Sequence, residues 1–312
     1  MHVVIAGGSG FVGQALQETL LSHRENHVTV LSRNPEKIEQ SDRLKAVEWL
    51  NEGSRPEEKL NDVDAVVNLA GESINGLRWT TQKKKRIVRS RLKATDQILE
   101  LLGKLEPKPK VLVNASAVGY YGMSETGCYT EKHQSTADDF LAKTVQKWEE
   151  RAAEANRLGV RTVFARFGLV LGTKGALPLM ALPYRFRIGG TLGSGRQWVS
   201  WIHVKDAARI IQFAIHTPEV EGPFNVTAPH PVTMKTFGEI LGASLRKPHW
   251  LPVPEGIIKL ALGEMSSMLV QGQQVIPEKA IQLQYDFQFP KLNEALSDTL
   301  QNDEKYRFFK KK

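Results

Sequence analysis

Three glycines recur at every third residue near the start of the chain, between a short apolar run and an amphipathic stretch. The run Val3–Ala6 has the character of a buried strand, and Phe11–Leu21 has the spacing of a helix. Glycines at such a turn let the backbone approach a pyrophosphate, while the helix start offers N–H groups and a positive dipole end. The residues of this glycine loop are Gly7, Gly8, Ser9, Gly10, Phe11, Val12 and Gly13. They predict a dinucleotide-binding loop, with a glycine-rich turn that binds nothing as the alternative.

The end of the second apolar run indicates which dinucleotide would bind. Sites for NAD usually carry Asp or Glu about 20 residues beyond the glycines, where the carboxylate bonds the ribose 2′-hydroxyl. This chain instead has Ser32 followed by Arg33, which lies 20 residues after Gly13. Because a guanidinium fork suits a phosphate, the pair predicts a preference for NADP(H) over NAD(H). An exposed loop cation without a ligand is the alternative interpretation of Arg33.

A third segment follows the apolar run Ala65–Leu69 and has small residues where a strand would end beside the cofactor. Ala70 and Gly71 would permit close approach, so Leu69, Ala70 and Gly71 are predicted cofactor contacts. Glu72 would then lie near the ribose or the nicotinamide. It could bind hydroxyl groups there or move a proton, and its alternative role is to cap the next segment.

The wider pattern places these segments in one architecture. Short, continuous apolar runs alternate with amphipathic stretches through the first two-thirds of the chain, which predicts an α/β, Rossmann-like doubly wound parallel sheet. Beyond about residue 228, prolines punctuate short helical segments. We therefore predict a nucleotide-binding domain over residues 1–227 and a smaller C-terminal α/β lobe over 228–312 that closes the substrate cleft. The predicted strands are Val3–Ala6, Val28–Leu31, Ala65–Leu69, Val111–Asn114 and Val160–Phe164, and the predicted helices are Phe11–Leu21, 80–102 and 136–157.

Composition excludes several classes of function. No apolar run in the sequence is long enough to cross a bilayer. The single cysteine, Cys128, allows neither an internal disulfide nor a cysteine-based metal cage, and the histidines are too widely spaced for a metal site. These features predict a cytoplasmic protein that binds no membrane and no metal.

The formal net charge of +8 comes partly from a basic cluster between Lys83 and Lys93. Apolar residues at helical spacing share this stretch, so a solvated helix face is a simpler interpretation than a nucleic-acid surface. A second cluster, Lys310–Lys312, is predicted to be a frayed terminus. The expected partner is therefore a small-molecule substrate and not a nucleic acid.

Several motifs follow one another in an order that is specific to one superfamily. They are the glycine loop, Asn68–Gly71, Ser116–Gly122 and Trp201–Asp206. Together they resemble the extended short-chain dehydrogenases/reductases, the NAD-dependent epimerase/dehydratase proteins. A narrower resemblance, over about residues 1–300, is to an atypical "epimerase family protein" branch with a small conserved C-terminal domain of unassigned role. The motifs that carry it are Leu69–Glu72, Arg78-Trp79-Thr80, Ser90-Arg91, Trp148-Glu149, Gly193–Trp198, Val270–Gln273 and Pro277.

The catalytic pair that this resemblance implies is missing. Most such enzymes use a Ser with a Tyr that exchanges a proton, and a Lys four residues later that lowers the pKa of the Tyr. Of the six tyrosines, only Tyr306 has a lysine at that spacing, and its partner Lys310 lies in the terminal tail. On the helix that should carry the pair, Phe140 and Thr144 occupy the two positions.

Three explanations stay open. Another group could serve in catalysis: Tyr120, Tyr121, Glu72 or Lys143 as the proton donor, with Ser116 polarising a substrate carbonyl. The protein could instead bind NADP(H) as a sensor or regulatory module with little or no catalysis. Alternatively, the alignment of this helix is wrong.

Three further residues complete the predicted site. Arg196 and Trp198 lie in a glycine-rich segment where related enzymes place an arginine against a substrate phosphate, so both are predicted substrate contacts. Arg166, taken to follow a strand, is predicted to line the nicotinamide pocket, whereas His203 and Asp206 are expected to be structural. The favoured function is an NADP(H)-dependent oxidoreductase or epimerase for a small carbonyl or hydroxyl compound, phosphorylated and nucleotide-linked compounds included. A homodimer is one assembly it could form.

Overall fold

The computed structural model describes residues 1–74 and 79–302, except for the side chains of residues 261, 262, 301 and 302. The strands are β1 (His2–Ala6), β2 (His27–Ser32), β3 (Leu44–Glu48), β4 (Ala65–Asn68), β5 (Val111–Ala117), β6 (Cys128–Tyr129), β7 (Arg161–Phe167), β8 (Leu169–Leu171), β9 (Trp198–Val199), β10 (Trp201–His203), β11 (Gly222–Val226), β12 (Val232–Thr233) and β13 (Gln274–Val275). The helices are α1 (Phe11–Leu21), α2 (Thr81–Lys104), α3 (Phe140–Ala152), α4 (Leu177–Arg185), α5 (Val204–His216), α6 (Met234–Leu245), α7 (Glu255–Leu262), α8 (Ser267–Val270), α9 (Glu278–Gln282) and α10 (Leu292–Asn302). Arg78, the Tyr306–Lys310 pair and the lysine tail lie outside the described residues.

Seven strands form one parallel sheet in the order β3-β2-β1-β4-β5-β7-β11. The strand order reverses between β1 and β4, because the chain proceeds outward from β1 first through β2 and β3 and then, on the other side, through β4. In such sheets the carboxyl ends of the strands flank a crevice at the point of reversal, where ligands bind. The predicted Rossmann-like, doubly wound fold is confirmed.

The two faces of the sheet bury alternate residues of the same strands. On one face Val3 packs in a cluster with Leu16 of α1 and Ile211 of α5. On the other face Val4 packs in a cluster with Ile98 of α2. Both faces are therefore covered by helices, which explains why the strands are continuous apolar runs in the sequence.

Several element boundaries differ from those predicted. β5 continues to Ala117 and β7 to Phe167, so that Ser116 and Arg166 lie inside strands and not after them. The edge strand β3 was not predicted, because its sequence alternates charged and apolar residues over a short length. The predicted helix 136–157 begins only at α3, where the carboxylate of Asp139 accepts the first free backbone N–H groups, and it ends in a tight turn over 153–158.

The chain beyond β11 forms a smaller α/β lobe. Its helix α6 packs against α4 and α10 around a core that includes Trp201, Phe237 and Leu296. Its short strands β12 and β13 pair with β9 and β6, which lie earlier in the chain. The lobe is thereby joined to the segments that follow β5 and β7.

Within residues 1–74 and 79–302, every helix is too short or too polar to cross a membrane. No group of three His, Cys, Asp or Glu side chains in the same residues is arranged to hold a metal ion.

Candidate active site

The glycine loop has the geometry that only glycine tolerates. Gly7 has φ of +80°, and a Cβ there would lie 2.7 Å from the carbonyl carbon of Leu69. A Cβ on Gly13 would lie 2.5 Å from the carbonyl oxygen of Gly7. Helix α1 starts directly after Gly10, which has no side chain to cap it. The first N–H groups of α1, beginning at Phe11, are therefore left for a ligand, as the sequence predicts.

The backbone of the glycine loop is also held by a side chain of α1. The side-chain amide of Gln17 donates hydrogen bonds to the carbonyl oxygens of Gly8, at 2.7 Å, and Gly13, at 3.1 Å. Ser9 is exposed at the tip, and Val12 is half-buried in the first turn of α1. Gln17 was not singled out from the sequence, since a glutamine on a helix carries no signal of such a role.

The end of β2 places Ser32 and Arg33 at the surface. The Ser32 hydroxyl accepts a hydrogen bond from the backbone N–H of Asn34 at 3.1 Å. Arg33 is exposed, and its guanidinium has no hydrogen bond or ion pair with any residue that the structure describes. Glu48 of β3 is the residue paired in register with Ser32 of β2. Its carboxylate accepts a hydrogen bond from the Asn51 side-chain amide at 2.6 Å. Arg33 is thus available to an anionic ligand.

The segment after β4 lies against the glycine loop, as predicted. Leu69 donates its backbone N–H to the carbonyl of Ala6 at 2.8 Å, and its own carbonyl group lies beside Gly7. The buried Asn68 side chain fixes the turn by accepting a hydrogen bond from the N–H of Ala70 at 3.2 Å. Gly71 continues this turn against α2, close to the side chain of Arg91.

Glu72 is held by helix α2. Its Oε1 accepts hydrogen bonds from Lys83 Nζ at 2.8 Å and from Arg86 Nε at 3.2 Å. The bond from Lys83, with a further contribution from Arg86, lowers the pKa of Glu72 below its usual range against the effect of desolvation. The ionised carboxylate has no proton to donate near neutral pH. The capping alternative is wrong as well, because the hydroxyl of Thr80 caps α2.

Two α2 residues known only from the motif resemblance hold the backbone of this segment. Ser90 Oγ accepts the N–H of Glu72 at 2.9 Å, and Arg91 Nη1 donates to the Glu72 carbonyl oxygen at 3.1 Å. The Arg91 guanidinium lies 5.1 Å from the ring centroid of Trp148, and burial lowers its pKa to about 10. It remains a cation at neutral pH, and Ser90 and Arg91 together fix the loop beside the glycines.

A buried ion pair joins α3 to β7 and includes Ser116 of β5. Arg166 Nε and Nη2 each donate to the carboxylate of Glu149 at 2.8 Å, and Ser116 Oγ donates to the same carboxylate at 2.5 Å. Burial acts to lower the pKa of Arg166, but the bonds to Glu149 outweigh it and raise the pKa. The Arg166 side chain lies inside the protein in this pair, so the contact predicted between this stretch and the nicotinamide stays a prediction and would have to come from its backbone and apolar groups. The Ser116 hydroxyl is committed to Glu149.

The two adjacent tyrosines differ sharply. Tyr121 is buried; its hydroxyl donates to Asn225 Oδ1 at 2.8 Å and accepts from Arg166 Nη1 at 2.9 Å. Burial raises the pKa of Tyr121 to about 12, so the phenol is a weaker acid than a free tyrosine, and its hydroxyl is already committed to Asn225 and Arg166. Tyr120 is half-buried, with its ring centroid 3.5 Å from Arg166 Cζ. Its hydroxyl has no hydrogen-bond partner within the described part of the chain.

Helix α3 shifts by one residue the positions that the missing Tyr–Lys pair would occupy. The ring of Phe140 packs edge-on against Trp79, at 5.7 Å between centroids, and so faces α2. Glu149 faces β5, and helical spacing puts Val145 and Leu141 on the same stripe as Glu149. A Cβ on Gly119, in the turn after β5, would lie 3.6 Å from Leu141 Cβ. Leu141 and Val145, and not Phe140 and Thr144, therefore occupy the two positions.

The remaining predicted residues lie at the surface. Lys143 is a solvated helix lysine: it is exposed, and its Nζ lies 3.8 Å from Asp138 Oδ2. Arg196 is 76% exposed, with its Nε 3.5 Å from Glu125 Oε2. Trp198 Nε1 donates to the backbone carbonyl of Glu125 at 3.0 Å. Arg196 and Trp198 therefore both lie over the turn around Glu125, close in sequence to the end of β5.

His203 and Asp206 have structural contacts. The carboxylate of Asp206 accepts the N–H groups of Gln288 at 2.9 Å and Phe289 at 2.8 Å, which ties the chain before α10 to α5. His203 is buried against Asp298 and accepts the N–H of Lys205. Among the described residues, neither side chain forms a hydrogen bond or an ion pair with the glycine loop.

Comparison with known proteins gives relatives over the whole chain. Residues 3–227 match the model of the NAD dependent epimerase/dehydratase family, and residues 253–299 match a domain of unknown function, DUF1731. The epimerase family protein YfhF of Bacillus subtilis is 47% identical over 300 residues, which are 96% of this chain and 98% of that protein. The epimerase family protein SERP0438 of Staphylococcus epidermidis is 40% identical, over 95% of this chain and 98% of that protein. The family resemblance predicted from the motifs is confirmed.

Solved structures of similar proteins have the same fold. The human epimerase family protein SDR39U1, crystallised with NADPH, is 33% identical, with a TM-score of 0.84 over 97% of this chain and 100% of that chain. A nucleoside-diphosphate sugar epimerase from Corynebacterium glutamicum is 27% identical, with a TM-score of 0.76 over 99% of this chain and 61% of that chain. A UDP-glucuronic acid 4-epimerase from Bacillus cereus, 18% identical with a TM-score of 0.77 over 99% of both chains, shares the fold.

Proposed function

Because the chain belongs to the NAD dependent epimerase/dehydratase family, we propose that it is an NADP(H)-dependent oxidoreductase or epimerase. Its substrate would be a small compound with a carbonyl or hydroxyl group. The observation that carries the proposal is the juxtaposition of the glycine loop, the segment after β4 and the exposed Arg33 at one edge of the sheet. These groups match the pyrophosphate, the ribose and a 2′-phosphate.

The assignment of cofactor contacts follows from the chemistry of the donors. The pyrophosphate would bind the N–H groups at the start of α1, where glycines permit close approach. Ser32 and Arg33 would bind the 2′-phosphate, since a guanidinium forms charge-assisted hydrogen bonds with phosphate. The presence of NADPH in the structure of human SDR39U1 supports this choice. When bound, the nicotinamide would supply hydride transfer. The protein would have to orient the nicotinamide and exchange a proton with the substrate oxygen.

We assign proton exchange with the substrate oxygen to Tyr120. Ser116, Tyr121 and Glu72 are committed to other partners, whereas the Tyr120 hydroxyl has none among the described residues. The Tyr120 ring is held in place by the guanidinium of Arg166, whose Cζ lies 3.5 Å from the ring centroid.

A second candidate function is NADP(H) binding without turnover, as a sensor or regulatory protein. The observation that favours it is the apolar character of Leu141 and Val145, which leaves this face of α3 without the tyrosine and lysine that the family resemblance implies. The two candidates share the cofactor site and differ only in chemistry.

We further propose a compartment, a class of partner and an oligomeric state for the protein. One cysteine and no disulfide fit a reducing compartment such as the cytoplasm. A small-molecule substrate is a better match than nucleic acid, since Lys83 and Arg86 of the basic cluster are already paired with Glu72. A homodimer remains a proposal that light scattering would test.

Transfer of label from NADPH deuterated at C4 to a panel of carbonyl compounds and sugar nucleotides tests the function. With an active substrate, Tyr120→Phe is expected to lower turnover by about a hundredfold or more while NADPH affinity stays unchanged. Tyr129→Phe, in the neighbouring strand β6, is the control and should keep wild-type turnover. Wild-type turnover in Tyr120→Phe would refute the proton assignment. No transfer by the wild-type protein to any compound would favour the sensor.

A further inference from the structure

Helix α4 is apolar on its outer face as well as on the face that packs against the core. The buried face lies in the core that α4 shares with α6 and consists of Leu177, Ala181 and Tyr184. Leu179 and Leu182 lie on the outer face, and Phe186 follows at the end of the helix. These three side chains are 67%, 43% and 70% exposed. An ordinary surface helix carries polar and charged side chains there.

A second segment extends this apolar surface. The chain after α6 runs beside the end of α4, where the N–H groups of Trp250 and Leu251 donate to the carbonyl oxygen of Gly189 at 2.9 and 3.1 Å. The indole Nε1 of Trp250 donates to the carbonyl oxygen of Arg187 at 2.8 Å, while Trp250 remains 63% exposed. We name the whole surface the α4 patch, and its members are Leu179, Leu182, Phe186, Ile188, Trp250 and Leu251. An exposed apolar surface of this kind marks an interaction site.

The two segments that form the α4 patch carry charge of one sign. Residues 155–205, which include α4, and residues 240–254, which include Trp250, contain no Asp or Glu. Arg187 is exposed within the patch, and Lys247 is half-buried three residues before Trp250. Neither cationic group has an ion pair or a hydrogen bond with a residue that the structure describes. Uncompensated cations beside apolar side chains favour an anionic partner.

We infer that the α4 patch binds the surface of an anionic lipid bilayer. Surfaces that bind a bilayer peripherally insert Leu, Phe and Trp at the acyl boundary and place Arg and Lys among the headgroups. The high exposure of Leu179, Phe186 and Trp250 means that these side chains project into solvent. A second copy of this chain is a poorer partner, because a two-fold interface would bring the same cations together.

This proposal revises the prediction that the protein binds no membrane. That prediction depends on the absence of an apolar run long enough to span a bilayer, and peripheral binding needs no such run. The α4 patch forms only when two separate segments meet in the fold. The inference does not depend on the proposed function, because the glycine loop and Tyr120 lie outside the α4 patch.

Co-sedimentation of the full chain with lipid vesicles at low salt tests the inference. We expect binding to vesicles that contain about one-third phosphatidylglycerol, and binding at least about tenfold weaker to vesicles of phosphatidylcholine alone. Phe186→Ser should weaken binding by about tenfold, because it removes a large inserting side chain, and Phe186→Leu should keep most of it. Ile281→Ser changes a residue of α9 that is 47% exposed outside the α4 patch, and it should have no effect.

Trp250 gives a readout that is specific to the α4 patch. All six tryptophans lie within the described residues, and Trp250 alone among them is exposed. Brominated acyl chains quench the fluorescence of tryptophans that they contact, so anionic vesicles made with them should quench part of the wild-type emission. Trp250→Phe should lose this quenching while its binding to the vesicles stays close to that of the wild type.

The charge requirement has its own pair of variants. Arg187→Gln combined with Lys247→Gln should weaken binding to the anionic vesicles by about tenfold or more and reduce its dependence on salt. Lys110→Gln combined with Lys143→Gln removes the same charge from exposed positions elsewhere and should have a smaller effect.

Four results would each overturn the inference. They are no binding to the anionic vesicles, equal binding to phosphatidylcholine alone, equal losses for Phe186→Ser and Ile281→Ser, and quenching that survives Trp250→Phe. Light scattering tests the other occupant. A wild-type dimer that Phe186→Ser dissociates, together with no binding to vesicles, would assign the α4 patch to a second copy of this chain.

Discussion

Breaking the Glu149–Arg166 ion pair is expected to destabilise the fold strongly and to release Tyr120. The two side chains are 8% and 2% exposed, and Arg166→Met would leave the carboxylate with only Ser116 as a donor. Removing one partner of a buried pair costs about 3–5 kcal/mol because the other charge stays buried. At roughly 2–4 °C per kcal/mol for a domain of this size class, the melting temperature should fall by roughly 6–20 °C.

A double-mutant cycle measured by urea and thermal unfolding checks this. Glu149→Leu combined with Arg166→Met removes both charges, so the double variant should lose less than the sum of the single losses, by at least about 1 kcal/mol. The exposed pair Arg151–Asp96 is the matched control, and Arg151→Met should cost below about 1 kcal/mol. Additivity within about 0.5 kcal/mol in the buried cycle would refute the reasoning.

Three further perturbations have defined outcomes. Gly13→Ala should weaken NADPH binding by more than about tenfold, since its Cβ would lie 2.5 Å from the carbonyl oxygen of Gly7; unchanged affinity would contradict the loop geometry. Arg91→Lys loses the bond to the Glu72 carbonyl and should weaken NADPH severalfold with little change in melting temperature, and no change in affinity would remove Arg91 from the site. Burial lowers the pKa of His203 to about 4, although the charge of Asp298 acts to raise it. Because the unfolded chain then binds more protons, the free energy of unfolding should fall by about 3 kcal/mol from pH 6.5 to 4, and His203→Gln should lack this fall; parallel pH profiles would refute it.

The parts of the fold that could be predicted from the sequence are those governed by local pattern. The strand–glycine–helix order fixes β1 and α1, and continuous apolar runs identify strands buried on both faces. Edge strand β3 could not be predicted, because it is half-exposed and lacks such a run. The predicted strand ends at Phe164, whereas β7 continues to Phe167, because the buried charge of Arg166 is paired with Glu149, a partner distant in sequence.

The same limit applies to the candidate site. The cofactor loop is local in sequence, and the structure brings its predicted members together. The proton donors depend on long-range pairing that no spacing rule reveals: Ser116 bonds Glu149, Tyr121 bonds Asn225, and Glu72 bonds α2. The absence of the Tyr–Lys pair follows from the sequence alone. The alignment from the sequence placed the gap one residue early, because only the packing of α3 shows which face meets β5.

The central claim is that Arg33 at the end of β2 recognises a 2′-phosphate on a dinucleotide bound at the glycine loop. Calorimetric titration of the wild-type chain and of Arg33→Ala with NADPH and NADH tests it directly. The account predicts one site that prefers NADPH, and a loss of about tenfold or more for NADPH alone in Arg33→Ala, since a charged hydrogen bond contributes about 1.5–3 kcal/mol. No heat from either dinucleotide, or equal losses for both, would contradict it.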